Sequence, residues 1–159
     1  MALTADIVQS WSAPRVVMRR LLARGASEPF AISFLLIFLA MALVATAPNL
    51  ARMAQLSDAG PMAPRLFAAA LGLMATIPLW YLAASISHLL ARSLGGRGSF
   101  YGARLALFWA LVAISPAMLV QGLVAGLIGA GLAVNLLGLV VATGFAVLWF
   151  SCLREAEMS

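Results

Sequence analysis

Tyr81, Ser85, His88 and Arg92 stand at i, i+4, i+7 and i+11, a spacing that lines up a phenol, a hydroxyl, an imidazole and a guanidinium on one helix face. Such a polar stripe could hand on protons or hold anions inside a membrane. The preferred reading is plainer: His88 and Arg92 sit near the interface, one turn apart, hydrated or bonded to helix-end carbonyls. His88 is the only histidine, and none of the carboxylates Asp6, Glu28, Asp58, Glu155 and Glu157 falls inside an apolar run. A metal site or a carboxylate proton relay therefore lacks its parts. The same acids are too scattered to pair as general acid and base. Cys152 is the only cysteine, so neither an intrachain disulfide nor a cysteine zinc site is available. G-x-S-x-G, H-E-x-x-H and P-loop patterns are absent, and Gly95-Gly96-Arg97-Gly98 lacks the Lys-Ser/Thr that a phosphate loop needs. The glycine-rich segment reads as a turn. No catalytic residue, metal ligand or cofactor is predicted.

Arginine is the other chemistry-bearing type. All ten cationic residues are arginine. They sit at the ends of apolar runs and form no basic face interleaved with aromatics, which argues against nucleic acid as a partner. In the arm 1–28, Trp11, Pro14, Met18, Leu21 and Leu22 fall within about 60° of Ile7 on a helical wheel, and Arg15, Arg19, Arg20 and Arg24 fall outside that arc. This pattern predicts an amphipathic helix in the headgroup plane of an anionic leaflet. It would serve either as a lipid sensor or partner site, or as a passive anchor. Pro14 suits the first turn of that helix and Gly25 its end.

The elements that carry these groups are dictated by hydropathy. With 64% hydrophobic and 9% charged residues, the 159-residue chain lies far from soluble composition. From Leu105 to Leu153 no charged side chain occurs, a run that holds two crossings of about 20 residues each. Gly129-Ala130-Gly131, with Asn135 nearby, marks the turn between them. The expected fold is an all-α polytopic transmembrane bundle of four spans, about 30–47, 66–91, 105–127 and 133–153, within a membrane domain 29–153. A tail 154–159 follows. Ser27-Glu28-Pro29 starts the first span and Pro48-Asn49 stops it. Pro78 is expected to kink the second. The stretch 49–65 reads as a loop in which Leu50, Met53 and Leu56 could form a short interfacial helix. Ala45-Thr46-Ala47 resembles a signal cleavage site, but the preceding apolar run is too long for one, and the helix is expected to be retained.

Eight arginines, in the arm, the loop 92–104 and the tail, face two, Arg52 and Arg65, across those spans. By the positive-inside rule both termini are expected in the cytoplasm. Gly122-x-x-x-Gly126, continued by Gly129, puts small residues on one side of the third span for close helix contact, either within the monomer or at a dimer seam. Pro116 and Gln121 on that span suggest a kink with a polar contact.

Ser12-Ala13-Pro14-Arg15 with Arg19-Arg20-Leu21-Leu22, the loop Leu94-Gly95-Gly96-Arg97-Gly98-Ser99-Phe100, and Pro116 in the next span together make the chain resemble bacterial members of the Yip domain family. The resemblance implies a multi-span, non-enzymatic membrane protein. Eukaryotic members engage prenylated Ypt/Rab GTPases and help to shape or sort vesicles. The arm here is shorter than theirs and four spans stand where the family often has five, so GTPase binding is not carried over.

Composition and resemblance together lead to one expectation. The chain is a multi-pass protein of a bacterial inner membrane, the lack of lysine fitting a GC-rich coding bias. Its basic cytoplasmic face, Arg15, Arg19, Arg20, Arg24, Arg92, Arg97 and Arg104, would bind anionic membrane lipids, a protein partner or a second copy. The alternative is a small transporter or channel subunit that uses the stripe from Tyr81 to Arg92.

Overall fold

A computed structural model describes residues 3–56 and 61–158, all of them helix or short connections. Asp58 and Gly60 of the expected loop lie outside the described residues. Seven helices follow in order: α1 (Leu3–Ser12), α2 (Pro14–Leu22), α3 (Glu28–Leu56), α4 (Met62–Ala75), α5 (Ile77–Ser93), α6 (Phe100–Ile128) and α7 (Leu132–Met158). Among the described residues four helical stretches are long and apolar enough to cross a membrane: α3, α4 with α5, α6, and α7.

α6 is the axis of the bundle. Ala103 and every residue from Leu105 to Ser115 are buried, so its first half is enclosed on all sides. A helix that is apolar all round has no preferred face, and full enclosure by neighbours is how such a helix uses every side chain. α3 runs parallel to α6, with Phe34 edge-on to Trp109 near one end and Ala45 beside Gly122 near the other. α7 runs antiparallel to α6, Ala156 lying against Gly102 and Gly144 against Ile114. α5 adds Tyr81, edge-on to Phe108 with ring centroids 5.2 Å apart. α4 buries no residue and forms the outer wall.

Glycines fix the closest approaches. A Cβ on Gly122 would overlap the Ala45 carbonyl, and one on Gly126 would overlap Pro48. One on Gly129 would stand 2.8 Å from Arg52 Nη2. The stripe of small residues on α6 thus seats α3 of the same chain.

Prolines act differently from place to place. α3 runs on through Pro48 to Leu56, past the stop expected there and through the segment expected as a separate interfacial helix. Packing explains this, because Gly126 lets α6 press against Pro48 while Arg52 donates to the Leu127 carbonyl at 2.9 Å. Tertiary contact overrides the local breaker. Pro78 does interrupt its span. α4 ends at Ala75 and α5 begins at Ile77, with the Thr76 hydroxyl donating to the Leu73 carbonyl at 2.6 Å and receiving the Trp80 indole N–H at 3.1 Å. The turn after α6 falls at Gly129, whose φ of +79° is left-handed, and α7 starts at Leu132.

The arm is not one helix. The residue before a proline disfavours the helical region, and Ala13, at φ −141° and ψ 63°, separates α1 from α2. The two helices fold back on each other, Arg20 reaching Asp6 at 2.8 Å and the Gln9 amide oxygen at 2.8 Å. Val17, Met18 and Leu21 are buried in the core of the bundle, so the apolar face of α2 is spent on protein. Val8 and Trp11 on α1, and Val16 on α2, remain exposed.

Candidate functional site: the arginine-rich end

Helix α6 begins with Ser99 as its cap, the hydroxyl accepting from the Gly102 amide at 3.1 Å. Around that start gather α2, the end of α5, the loop 94–99 and the last turn of α7. Nearly all the charge of the molecule is here.

Three of the predicted surface arginines are held in ion pairs. Arg19 Nε lies 2.8 Å from Glu155 Oε1. Arg20 pairs with the buried Asp6. Arg104 pairs with Glu28 and lies over the Tyr81 ring at 5.8 Å. The hydrogen bond from Arg19 to Glu155, reinforced by the carboxylate charge, raises the guanidinium pKa above its ordinary value. The other four, Arg15, Arg24, Arg92 and Arg97, are exposed and have no carboxylate against them among the described residues. Arg24 instead lies over the Phe30 ring at 5.4 Å.

The polar stripe on α5 is divided in the same way. Ser85 donates back to the Tyr81 carbonyl at 2.9 Å. His88 is buried and its Nδ1 lies 2.7 Å from Glu157 Oε1. Phe100 closes over the imidazole at 4.3 Å. Arg92 alone of the stripe is exposed. Glu157 also accepts from the Gly98 amide at 3.1 Å, while its carbonyl accepts from the Arg97 amide at 2.9 Å. A Cβ on Gly96 would stand 2.6 Å from the Glu157 carboxylate, and one on Gly98 would overlap the Ala156 carbonyl. The glycines of the loop therefore serve to let α7 dock, and His88 belongs to that clamp.

Carboxylates at a helix C-terminus oppose the helix dipole, so Glu155 and Glu157 need cations and donors nearby. Arg19 supplies a cation to Glu155, and the His88 ring and the Gly98 amide lie against the Glu157 carboxylate. Residues 154–158, expected as a tail, are instead the final turn of α7. Sequence reasoning passed over this clamp, although a signal existed: neither glycine nor proline occurs after Gly144, and Leu148, Cys152 and Ala156 continue one buried face.

A second polar chain ties the arm deeper into the bundle. Proline at 116 leaves the Val112 carbonyl without its helical donor. Ser115 Oγ donates to that carbonyl at 2.8 Å, and Trp11 Nε1 donates to the adjacent Ala113 carbonyl at 3.1 Å. Trp109 Nε1 donates to Ser10 Oγ at 3.0 Å, and that hydroxyl donates to the Asp6 carbonyl at 2.8 Å. Backbone groups left open in hydrocarbon cost several kcal/mol each, so these bonds anchor the tip of the arm. On the same helix Gln121 reaches α7, its amide standing where a Cβ on Gly138 would be.

With α1 and α2, the glycine loop and the proline-bearing α6 in place, residues 8–159 match the model of the Yip1 domain. The chain belongs to the Yip1 domain family. No curated protein and no solved structure matches it. Membership and the four apolar helical stretches make it a multi-pass integral membrane protein.

Among the described residues no group of three or more His, Cys, Asp or Glu could hold a metal ion. At this end the carboxylates Asp6, Glu28, Glu155 and Glu157 are engaged, while Arg15, Arg24, Arg92, Arg97 and Arg154 are exposed.

Proposed function

We propose that this Yip1-domain protein is a non-enzymatic membrane organiser that binds anionic lipid through its arginine-rich end. One observation carries the reading. Arg15, Arg24, Arg92 and Arg97 project without carboxylate partners from an end whose acids Asp6, Glu28, Glu155 and Glu157 are all engaged by other residues. Unpaired cations at a membrane surface attract anionic headgroups by about 1 kcal/mol each. The excess of arginine supports a cytoplasmic position for this end and both chain termini, in what we take to be a bacterial inner membrane.

Trp11 is exposed and offers a reporter. Reconstituted protein should be quenched more strongly by brominated phosphatidylglycerol than by brominated phosphatidylethanolamine. Replacing Arg15, Arg24, Arg92 and Arg97 with Gln should abolish that preference; its full retention would refute the reading. A transporter role for the stripe from Tyr81 to Arg92 has less support, since His88 is locked to Glu157. Solute flux in proteoliposomes that vanishes on His88→Ala would favour that role instead.

A further inference from the structure

An open groove of about 340 Å³ runs between α2 and α7, lined by Arg15, Thr143, Ala146, Val147, Phe150, Ser151 and Arg154. Positions 143, 147, 150 and 154 recur at helical spacing, so the α7 part of the lining is one continuous stripe. Its composition changes along its length. Arg154, with Arg15 facing it from α2, provides two guanidiniums at the arginine-rich end, and Phe150, Val147 and Ala146 lead from them toward Thr143.

Both guanidiniums are exposed, and neither has a carboxylate partner among the described residues. The acids of the arm and of the end of α7 are engaged elsewhere: Glu155 by Arg19, Asp6 by Arg20 and Glu157 by His88. Arg15 lies one turn nearer than Arg19 to the tip of the arm, where Trp11 reaches the Ala113 carbonyl. An anion between Arg15 and Arg154 would supply the partner that neither guanidinium has. Dimensions agree as well. From Arg154 to Thr143 the stripe rises about 16 Å at 1.5 Å per residue, close to the half-thickness of roughly 15 Å that one acyl chain spans.

The geometry points to a specific site for one anionic glycerophospholipid, its phosphate held between Arg15 and Arg154 and an acyl chain laid along Phe150, Val147 and Ala146. Two guanidiniums favour a phosphodiester that carries net negative charge and repel the ammonium of phosphatidylethanolamine. This inference rests on the proposed lipid-binding function and narrows it to one bound molecule on two residues, of which Arg154 lies outside the set named above.

Native mass spectrometry of the full chain released from detergent tests it, with phosphatidylglycerol and phosphatidylethanolamine of matched chains. One phosphatidylglycerol should remain bound, and Arg15→Gln with Arg154→Gln should weaken it at least about tenfold. The triple change Arg24→Gln, Arg92→Gln and Arg97→Gln, which should lower the general preference for anionic lipid, should leave this one bound molecule in place. Ala146→Trp, which fills the apolar part of the groove, should displace the lipid with both arginines intact. Soluble glycerol 3-phosphate should not compete, and competition would mean that the groove recognises phosphate without a chain. Loss of the lipid in the triple variant but not in the double one would overturn the groove and leave the general basic surface standing. Equal retention of both lipids in every variant would overturn both. Unchanged melting temperatures of the variants establish that the readout is binding.

Discussion

The two ends of the bundle are held together by different physics. At the arginine-rich end polar side chains meet across helices: Arg19 with Glu155, Arg20 with Asp6, Arg104 with Glu28, and the His88 imidazole with Glu157. At the other end Gly122 and Gly126 bring the backbones of α3 and α6 together, with Arg52 finishing α6 at the Leu127 carbonyl. Lipid tails are as apolar as leucine, so within hydrocarbon close packing replaces the hydrophobic drive, and small residues make it possible. Near the headgroups ion pairs are permitted, and there they set the orientation of the arm, the loop and the last turn of α7.

If this contrast is right, the glycine end should be the less forgiving. Gly126→Leu drives a side chain into Pro48 and should cost about 3 kcal/mol or more, read as a large fall in melting temperature in detergent. A tolerated leucine would break the contrast. At the polar end, Glu157→Ala leaves the buried His88 and the Gly98 amide without their acceptor and should cost about 2 kcal/mol. It should also open residues 94–99 to protease. A double-mutant cycle with His88→Ala should return a coupling above about 0.5 kcal/mol; additivity would mean that the pair is incidental.

Smaller effects sharpen the picture. Trp11→Phe keeps the ring and removes one bond to the Ala113 carbonyl, for about 1 kcal/mol and a faster hydrogen exchange in the arm. Arg19→Gln changes an ion pair open to solvent and should leave the melting temperature unmoved. A large destabilisation there would mean that the α2–α7 contact depends on charge more than on Val17, Met18 and Leu21.

Much of the bundle was legible in the chain, because the signals were long and one-sided. The uncharged run 105–153 needed two crossings, Gly129 turned where expected, and Pro78 broke its span. Pro48 misled, since its effect depended on Gly126, a residue far away in sequence that admits the α3 backbone. The arm was legible as amphipathic but not as a hairpin. Its apolar face looked suited to lipid, and only the arrangement of α6 and α7 shows that protein covers it. At the candidate site, each arginine could be named, but whether it was paired could not. Arg19 and Arg15 sit one turn apart with the same local composition, and Glu155, distant in sequence, meets one of them and not the other.

That division of the arginines is the claim on which the account rests, and one paired experiment tests it most directly. Charge-neutral Gln variants of the unpaired set, Arg15, Arg24, Arg92 and Arg97, are compared with Gln variants of the paired set, Arg19, Arg20 and Arg104, by melting temperature and by retention of phosphatidylglycerol over phosphatidylethanolamine. The unpaired set should lose the lipid preference at unchanged stability, and the paired set should lose stability, mainly through the buried Asp6 left behind by Arg20, while keeping the preference. The reverse pattern, or equal losses of both properties in the two sets, would contradict it.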